Sequence, residues 1–294
     1  MKQKKWINLL IFIIIIVTSI AALSGILSNE GQGTYQYESI RGQMITIYGK
    51  GIYRHMSKEV AVQGIAQDVV TLFVGIPLLL ISLFLIKKAG LKARFLLTGT
   101  LGYFLVTYLF YTAMGMYNEM FMAYVVLLCA AFFAFLLMMF SFDLNQLPSF
   151  FSQNTPIKFV GGFLIFNTVA IAFLWLNIVL PPLFNGTIYP PQVEHYTTLI
   201  VQGFDLGLLL PIAFVSAILF LKRKPIGYLL TPVYLIFLSI LMTSLSGKII
   251  AMASIGINVL PVIIIIPLIN ILAILCSFLL LKNIKNSDKV RYTK

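Results

Sequence analysis

Apolar residues run along this chain in eight long stretches, separated by short polar segments that hold most of its charge. A helix needs about 20 apolar residues to cross a hydrocarbon core ~30 Å thick, and each stretch approaches that length. The pattern predicts transmembrane helices near Trp6–Leu27, Val69–Ile86, Phe95–Thr112, Phe121–Phe140, Phe159–Leu180, Ile200–Leu221, Tyr228–Leu245 and Ile257–Leu281. The expected fold class is all-α, a polytopic membrane protein. The segment Ser28–Val62 is the longest connection. Within it Met44–Tyr48 alternates, Gly49-Lys50-Gly51 turns, and Ile52-Tyr53 follows, which predicts a short β-hairpin.

Two parts of the pattern resemble each other. Val62-Gln63-Gly64 leads to Asp68, an apolar helix with Pro77 and Ser82, a basic turn ending at Gly90, and Phe95-Leu96-Leu97-Thr98. Val201-Gln202-Gly203 leads to Asp205, an apolar helix with Pro211 and Ser216, a basic turn ending at Gly227, and Tyr228-Leu229-Leu230-Thr231. Asp68 to Gly90 and Asp205 to Gly227 are the same distance along the chain. This predicts two pseudo-symmetric four-helix halves, residues 1–158 and 159–294. An even number of spans per half gives both halves the same orientation. Parallel repeats of this kind occur in transporters, with the site at the repeat interface. Chance matching between apolar helices is the competing explanation.

Composition agrees with lipid as the solvent. Of 294 residues 60% are hydrophobic and only 10% charged, against roughly 25% charged in soluble domains. The net charge of +12 is spread beside the apolar runs and forms no continuous patch. Its expected partner is therefore the lipid headgroups of a bilayer, not nucleic acid. The N-terminus carries Lys2, Lys4 and Lys5, and the second–third connection carries Lys87, Lys88, Lys92 and Arg94. Lys158, the trio Lys222-Arg223-Lys224, and Lys282, Lys285, Lys289, Arg291 and Lys294 of the tail fall on the same side. The other side has only Arg41, Lys50, Arg54, Lys58 and Lys248. The positive-inside rule then places both termini in the cytoplasm of a cell with this protein in its cytoplasmic membrane. The start Met1–Leu27 has the basic residues and small-residue stretch of a signal peptide. Its apolar run exceeds the usual ~7–15 residues, so it is expected to stay as the first helix.

Candidate chemistry gathers where helices two and six begin. Asp68 and Asp205 are read at the outer mouths of those helices. There a carboxylate either caps the helix N-terminus or handles an ion or proton. Gln63, Gln202, His55 and His195 flank them. The histidines with Glu59 and Glu194 lack metal-ligand spacing, and no cofactor signature is present. Thr100, Tyr103, Thr107 and Tyr111 make one polar stripe on helix three. Thr71 and Ser82 lie on a compatible face of helix two, Ser216 marks the equivalent place in helix six, and Ser239, Thr243 and Ser246 stripe helix seven. Such stripes either join helices by hydrogen bonds or line a polar cavity between helices two, three, six and seven. Cys129 and Cys276 lie in predicted spans without a Cys-x-x-Cys motif and are read as buried thiols. No charge is placed in the middle of a span.

Several segments resemble an uncharacterised family of bacterial multi-pass integral membrane proteins: Tyr48-Gly49-Lys50-Gly51-Ile52-Tyr53, Ala66-Gln67-Asp68 with Pro77, and Arg94-Phe95-Leu96 through Tyr103. Tyr117-Asn118 to Tyr124, Asp205 with Gly207 and Pro211, and Lys222 through Tyr228 extend the likeness over most of the chain. Where that family tends to have an acid before the serine that follows Gly-x-Gly-x-Tyr, this chain has Met56 before Ser57. The resemblance implies a bacterial membrane location and no activity.

No phosphate-binding glycine loop, nucleophile elbow or metalloprotease motif is present. A small-solute or ion permease is the leading expectation. A non-catalytic assembly or sensor component, and a membrane-embedded enzyme with an outer-face site, are the alternatives.

Overall fold

A computed structural model describes residues 4–86 and 90–285. Lys2, Lys87, Lys88, Lys289, Arg291 and Lys294 lie outside the described residues. Among the described residues eight helices are long and apolar enough to cross a membrane. We label them α1 (Lys4–Leu27), α2 (Lys58–Leu85), α3 (Gly90–Ala113), α4 (Phe121–Met139), α5 (Ile157–Val179), α6 (Ile200–Leu221), α7 (Pro225–Ser254) and α8 (Val262–Lys282).

α3 and α7 are the most buried and form the centre. α7 packs on α2, α3, α6 and α8, and α1 packs on α2 and α4. Close approach needs small residues. A methyl added at Gly99 of α3 would lie 2.5 Å from Ile236 Cβ of α7, and one at Gly161 of α5 would lie 2.6 Å from Leu221 of α6. Around this core Phe12, Phe73, Phe133, Phe166, Phe173 and Phe278 point outward, all at least half exposed. An exposed apolar belt of that extent suits hydrocarbon and not water. Cys276 is buried, whereas Cys129 is on the exposed surface of α4, contrary to the expectation for it.

Two helices depart furthest from the predicted limits, each for a physical reason. α2 begins eleven residues earlier than Val69, at Lys58. Its first three turns carry polar residues that lipid would reject; the two deepest, Gln67 and Asp68, are met by Tyr103, Tyr53 and Tyr111 from neighbouring segments. α7 continues past Leu245 to Ser254 because the apolar run resumes after Ser246-Gly247-Lys248. That extension moves Lys248 out of a loop and into a helix.

α2 and α6 each contain one widened, π-helical turn, Thr71–Gly75 and Asp205–Leu209. The Ile76 amide reaches back to the Thr71 carbonyl and the Leu210 amide to that of Asp205, five residues each. Both widened turns stop two residues short of a proline, Pro77 or Pro211. Proline lacks an N–H and its ring collides with the carbonyl four residues earlier. A locally wider turn relieves that collision without breaking the helix.

Four connections share one end of the bundle with a β-hairpin. Its strands are β1 (Tyr35–Glu38) and β2 (Met44–Ile47), antiparallel with Tyr35 opposite Ile47. The hairpin was expected to turn at Gly49–Gly51. It turns at Ser39–Gln43 instead, where Ser39 and Gln43 close the loop through their backbones. Gly51–Tyr53 is a 3₁₀ turn. At the opposite end the segment after α4 folds back under the bundle, Phe151 bridging to Ile284 and the Lys285 amide donating to the Phe150 carbonyl.

Candidate functional site

The most polar part of the interior lies between α1, α2, α3 and α7, toward the hairpin end. Asp68 is 5% exposed. It accepts hydrogen bonds from Tyr53 Oη at 2.6 Å and Tyr111 Oη at 2.9 Å. The two phenol oxygens lie 3.3 Å apart, and Tyr111 also reaches the Gly64 carbonyl. Two phenol donors to one carboxylate are charge-assisted bonds, the stronger kind in an interior. Gly25 of α1 makes the space: a Cβ there would stand 1.8 Å from Asp68 Oδ2. Gly64 likewise lets the Tyr53 ring lie against α2. Tyr53 itself sits outside the spans, and burial together with the neighbouring Asp68 holds its phenol well above the usual value.

One turn deeper, Gln67 donates from Nε2 to Tyr103 Oη at 2.8 Å and to Thr107 Oγ1 at 3.3 Å. Tyr103 Oη also lies 2.7 Å from Thr71 Oγ1 and 3.0 Å from Ser244 Oγ of α7. Gln67 Oε1 is buried and has no hydrogen-bond partner among the described residues.

Asp205 in α6 accepts a 2.7 Å bond from Trp175 Nε1 of α5. Lys248 of α7 is within electrostatic range of both Asp205 and Asp68. It pairs directly with neither, since the one ion pair within 4.0 Å among the described residues is Arg54–Glu119 at the hairpin end. Asp68 is thus buried and Asp205 and Lys248 half-buried within helices of the bundle, where charge is costly. Fully ionised, they carry one negative charge in excess, which a proton or a monovalent cation would balance.

Asp68 is ten residues inside α2, about 15 Å from its start, and Asp205 is five inside α6, about 8 Å. Both lie deeper than a capping position. Lys248 is six residues from the end of α7, about 9 Å in, so it belongs to a helix and not to a connection. Tyr103, Thr107, Tyr111 and Thr71 converge on the α2–α3 contact. Ser82, Thr100 and Ser216 do not join them; each hydroxyl bonds the carbonyl four residues earlier. The α7 stripe turns elsewhere as well: Ser239 meets Ser277, and Thr243 meets Asn270, both on α8. Gln63 is half-buried on α2 and makes no side-chain hydrogen bond among the described residues, while Gln202 lines a groove beside α6.

His55 and His195 come together through a loop contact, with His195 Nε2 3.0 Å from the His55 carbonyl. Next to them Tyr196 Oη accepts from the Ser57 amide at 3.0 Å, and burial pushes that phenol up to about 12. Among the described residues no three His, Cys, Asp or Glu side chains are grouped to hold a metal ion.

Sequence reasoning missed Tyr53, Gln67, Trp175, Ser244 and Lys248. Lys248 had a usable signal, because Ile249 to Ala253 continues the apolar run on its far side. Tyr53 and Trp175 had none, since tertiary packing alone brings them to the carboxylates.

No family model matches the chain, and neither a curated protein nor a solved structure matches it. Helix length and composition define the class: a multi-pass membrane protein.

Proposed function

We propose that this protein is a permease for an ion or small solute, with the Asp68–Lys248–Asp205 group as the place where a proton or monovalent cation is taken up. The observation that carries the reading is the charge balance: buried Asp68 and half-buried Asp205 lie within electrostatic range of half-buried Lys248, which pairs directly with neither. The buried Gln67 Oε1 adds an acceptor beside the same helices. Widened turns at Asp205 and just beyond Asp68 supply backbone that can shift, as π turns do at functional sites.

The reading includes two duplicated halves, 1–158 and 159–294, related by an axis along the membrane normal. Support comes from α3 and α7 meeting at the centre. Gly99 and Ile236, which correspond under the Gly90–Gly227 alignment, are in contact. Equivalent residues touch one another only near a two-fold axis. The widened turn before a proline recurs in both halves. A bacterial cytoplasmic membrane with both termini inside fits the basic residues. With Lys248 removed from the outer tally, their excess on the opposite side is larger.

A second reading is an assembly or sensor component. It is favoured by the way the two long loops lock together through Arg41, Ser57, Glu194 and Tyr196 at the hairpin end.

Flux separates them. In proteoliposomes under an imposed proton or sodium gradient, the wild type should move charge. Asp68→Asn/Asp205→Asn should lose at least tenfold of that flux while eluting as the same folded species. Folded wild-type protein that passes no ion or metabolite, or flux indifferent to the double substitution, would overturn the permease in favour of the second reading.

A further inference from the structure

A second polar feature lies outside the charged interior. A groove of about 590 Å³ opens at the hairpin end between the last turn of α5 and the first turns of α6. Val179, Ile188, Leu199 and Leu206 give it an apolar wall, and Arg41, Gln202, Tyr189, Thr197 and Thr198 line the rest as polar groups.

Arg41 comes from the hairpin turn of the first half. Its guanidinium donates to the Glu194 carbonyl at 3.2 Å and the Thr197 carbonyl at 3.5 Å, and lies over the Tyr189 ring, 5.2 Å from its centroid. Tyr189 in turn donates to the Arg41 carbonyl at 3.0 Å. These contacts hold the guanidinium in one place through carbonyl oxygens and a ring, and among the described residues no carboxylate, that of Glu194 included, pairs with it within 4.0 Å. A guanidinium presents five donors in a planar fork suited to phosphate oxygens.

The rim of the groove has the character of a membrane interface. Ile40 is 90% exposed and Ile188 92%. Leu183 and Phe184, on the short helical turn Pro181–Asn185, are also turned outward. Large apolar side chains beside a fixed cation, at the end of membrane-spanning helices, match a molecule with an acyl chain below and an anionic headgroup above.

We infer that this groove is a binding site for one anionic glycerophospholipid, whose phosphate meets Arg41 and whose acyl chain lies along α5 and α6. The site is independent of the permease reading. The bound lipid would hold the two loop systems together, because Arg41 belongs to one half and every other groove residue to the other.

Trp175, one turn from Val179 on α5, gives a direct probe, and the chain has only one other tryptophan, Trp6, at the opposite end. Trp6→Phe protein is placed in phosphatidylcholine nanodiscs containing phosphatidylglycerol, with either lipid brominated on its acyl chains. At matched bromolipid content, quenching of Trp175 should show about fivefold preference for phosphatidylglycerol, the enrichment one interfacial basic residue supplies. Arg41→Gln removes the charge while leaving a polar amide in its place, and should erase the preference. Arg41→Lys should retain part of it. Equal quenching by the two lipids in the Trp6→Phe protein, or a preference that survives Arg41→Gln, overturns the site. Soluble glycerol phosphate that abolishes the preference at millimolar concentration would identify a free phosphate-ester site and overturn the lipid assignment.

Discussion

At the scale of single residues, the interior is organised around keeping a carboxylate in place. Asp68 has its two phenols above and the bare backbone of Gly25 beside it. A methyl at position 25 has nowhere to go unless the carboxylate moves. Overfilling of this kind costs about 1–3 kcal/mol. Gly25→Ala should therefore lower the thermal midpoint in detergent, and Asp68→Ala should lower it too by orphaning Tyr53 and Tyr111. The double variant should lose clearly less than the sum, because the second change removes the atom that the first one strikes. Strict additivity in the cycle would mean that Gly25 and Asp68 do not share this space.

Lys248 permits a charge test of the same region. Lys248→Met leaves two acids without a cation. Removing one partner of a buried pair costs about 3–5 kcal/mol, and contact-free geometry here argues for less, on the order of 2 kcal/mol. Adding Asp205→Asn to Lys248→Met should recover most of the loss in a melting experiment. No recovery would show that Lys248 matters for packing alone. These acids were legible in the sequence as charges bordering apolar runs. Their partners were not, for two reasons. Lys248 followed Ser244-Leu245-Ser246-Gly247, which reads like the end of a helix. Tyr53 sat in a loop whose path depends on a hairpin with a different turn from the one its glycines suggest.

At the scale of elements, the eight helices were visible because lipid forces long apolar runs, and Pro77 and Pro211 were visible as interruptions. The widened turns were not visible, since a π turn has no pattern of its own; it is one extra residue accommodated by its surroundings. That gives a test by deletion. Removing Phe73 from the widened turn, with Pro77→Ala to spare the ring collision, should restore a regular α-helix and keep Ser82 and the rest of α2 on their original faces. Removing Leu80 from the regular part should rotate everything beyond it by about 100°. The first variant should give a sharp gel-filtration peak near wild-type yield and the second should aggregate. Equal tolerance of both deletions would mean that the turn is not an inserted residue.

At the scale of the molecule, order along the chain could not reveal which helices occupy the centre. Hydropathy marks α3 and α7 only as the less apolar of the eight. Their threonines, tyrosines and glycines make them poor neighbours for lipid and good neighbours for each other, and so they are the ones buried. The halves are nonetheless unequal in their packing. α1 lies firmly on α4, with Ile7, Ile11 and Ile14 buried. α5 and α8 barely meet, leaving a groove of about 360 Å³ lined by Lys158, Phe159, Gly162, Phe163, Phe166 and Leu272. A molecule held mainly by its central α3–α7 seam should survive a cut between its halves. Two fragments divided in the exposed turn at Gln153–Asn154 should therefore co-purify when expressed together. Gly99→Leu, which drives a side chain into Ile236 and the Val233 carbonyl, should separate them. The same change at Gly162, where an added Cβ meets nothing within 4 Å, should leave the pair intact. Fragments that fail to associate without any substitution would shift the weight of assembly from the seam to the connection between α4 and α5. Association that withstands Gly99→Leu would shift it to the loops that meet at the hairpin end.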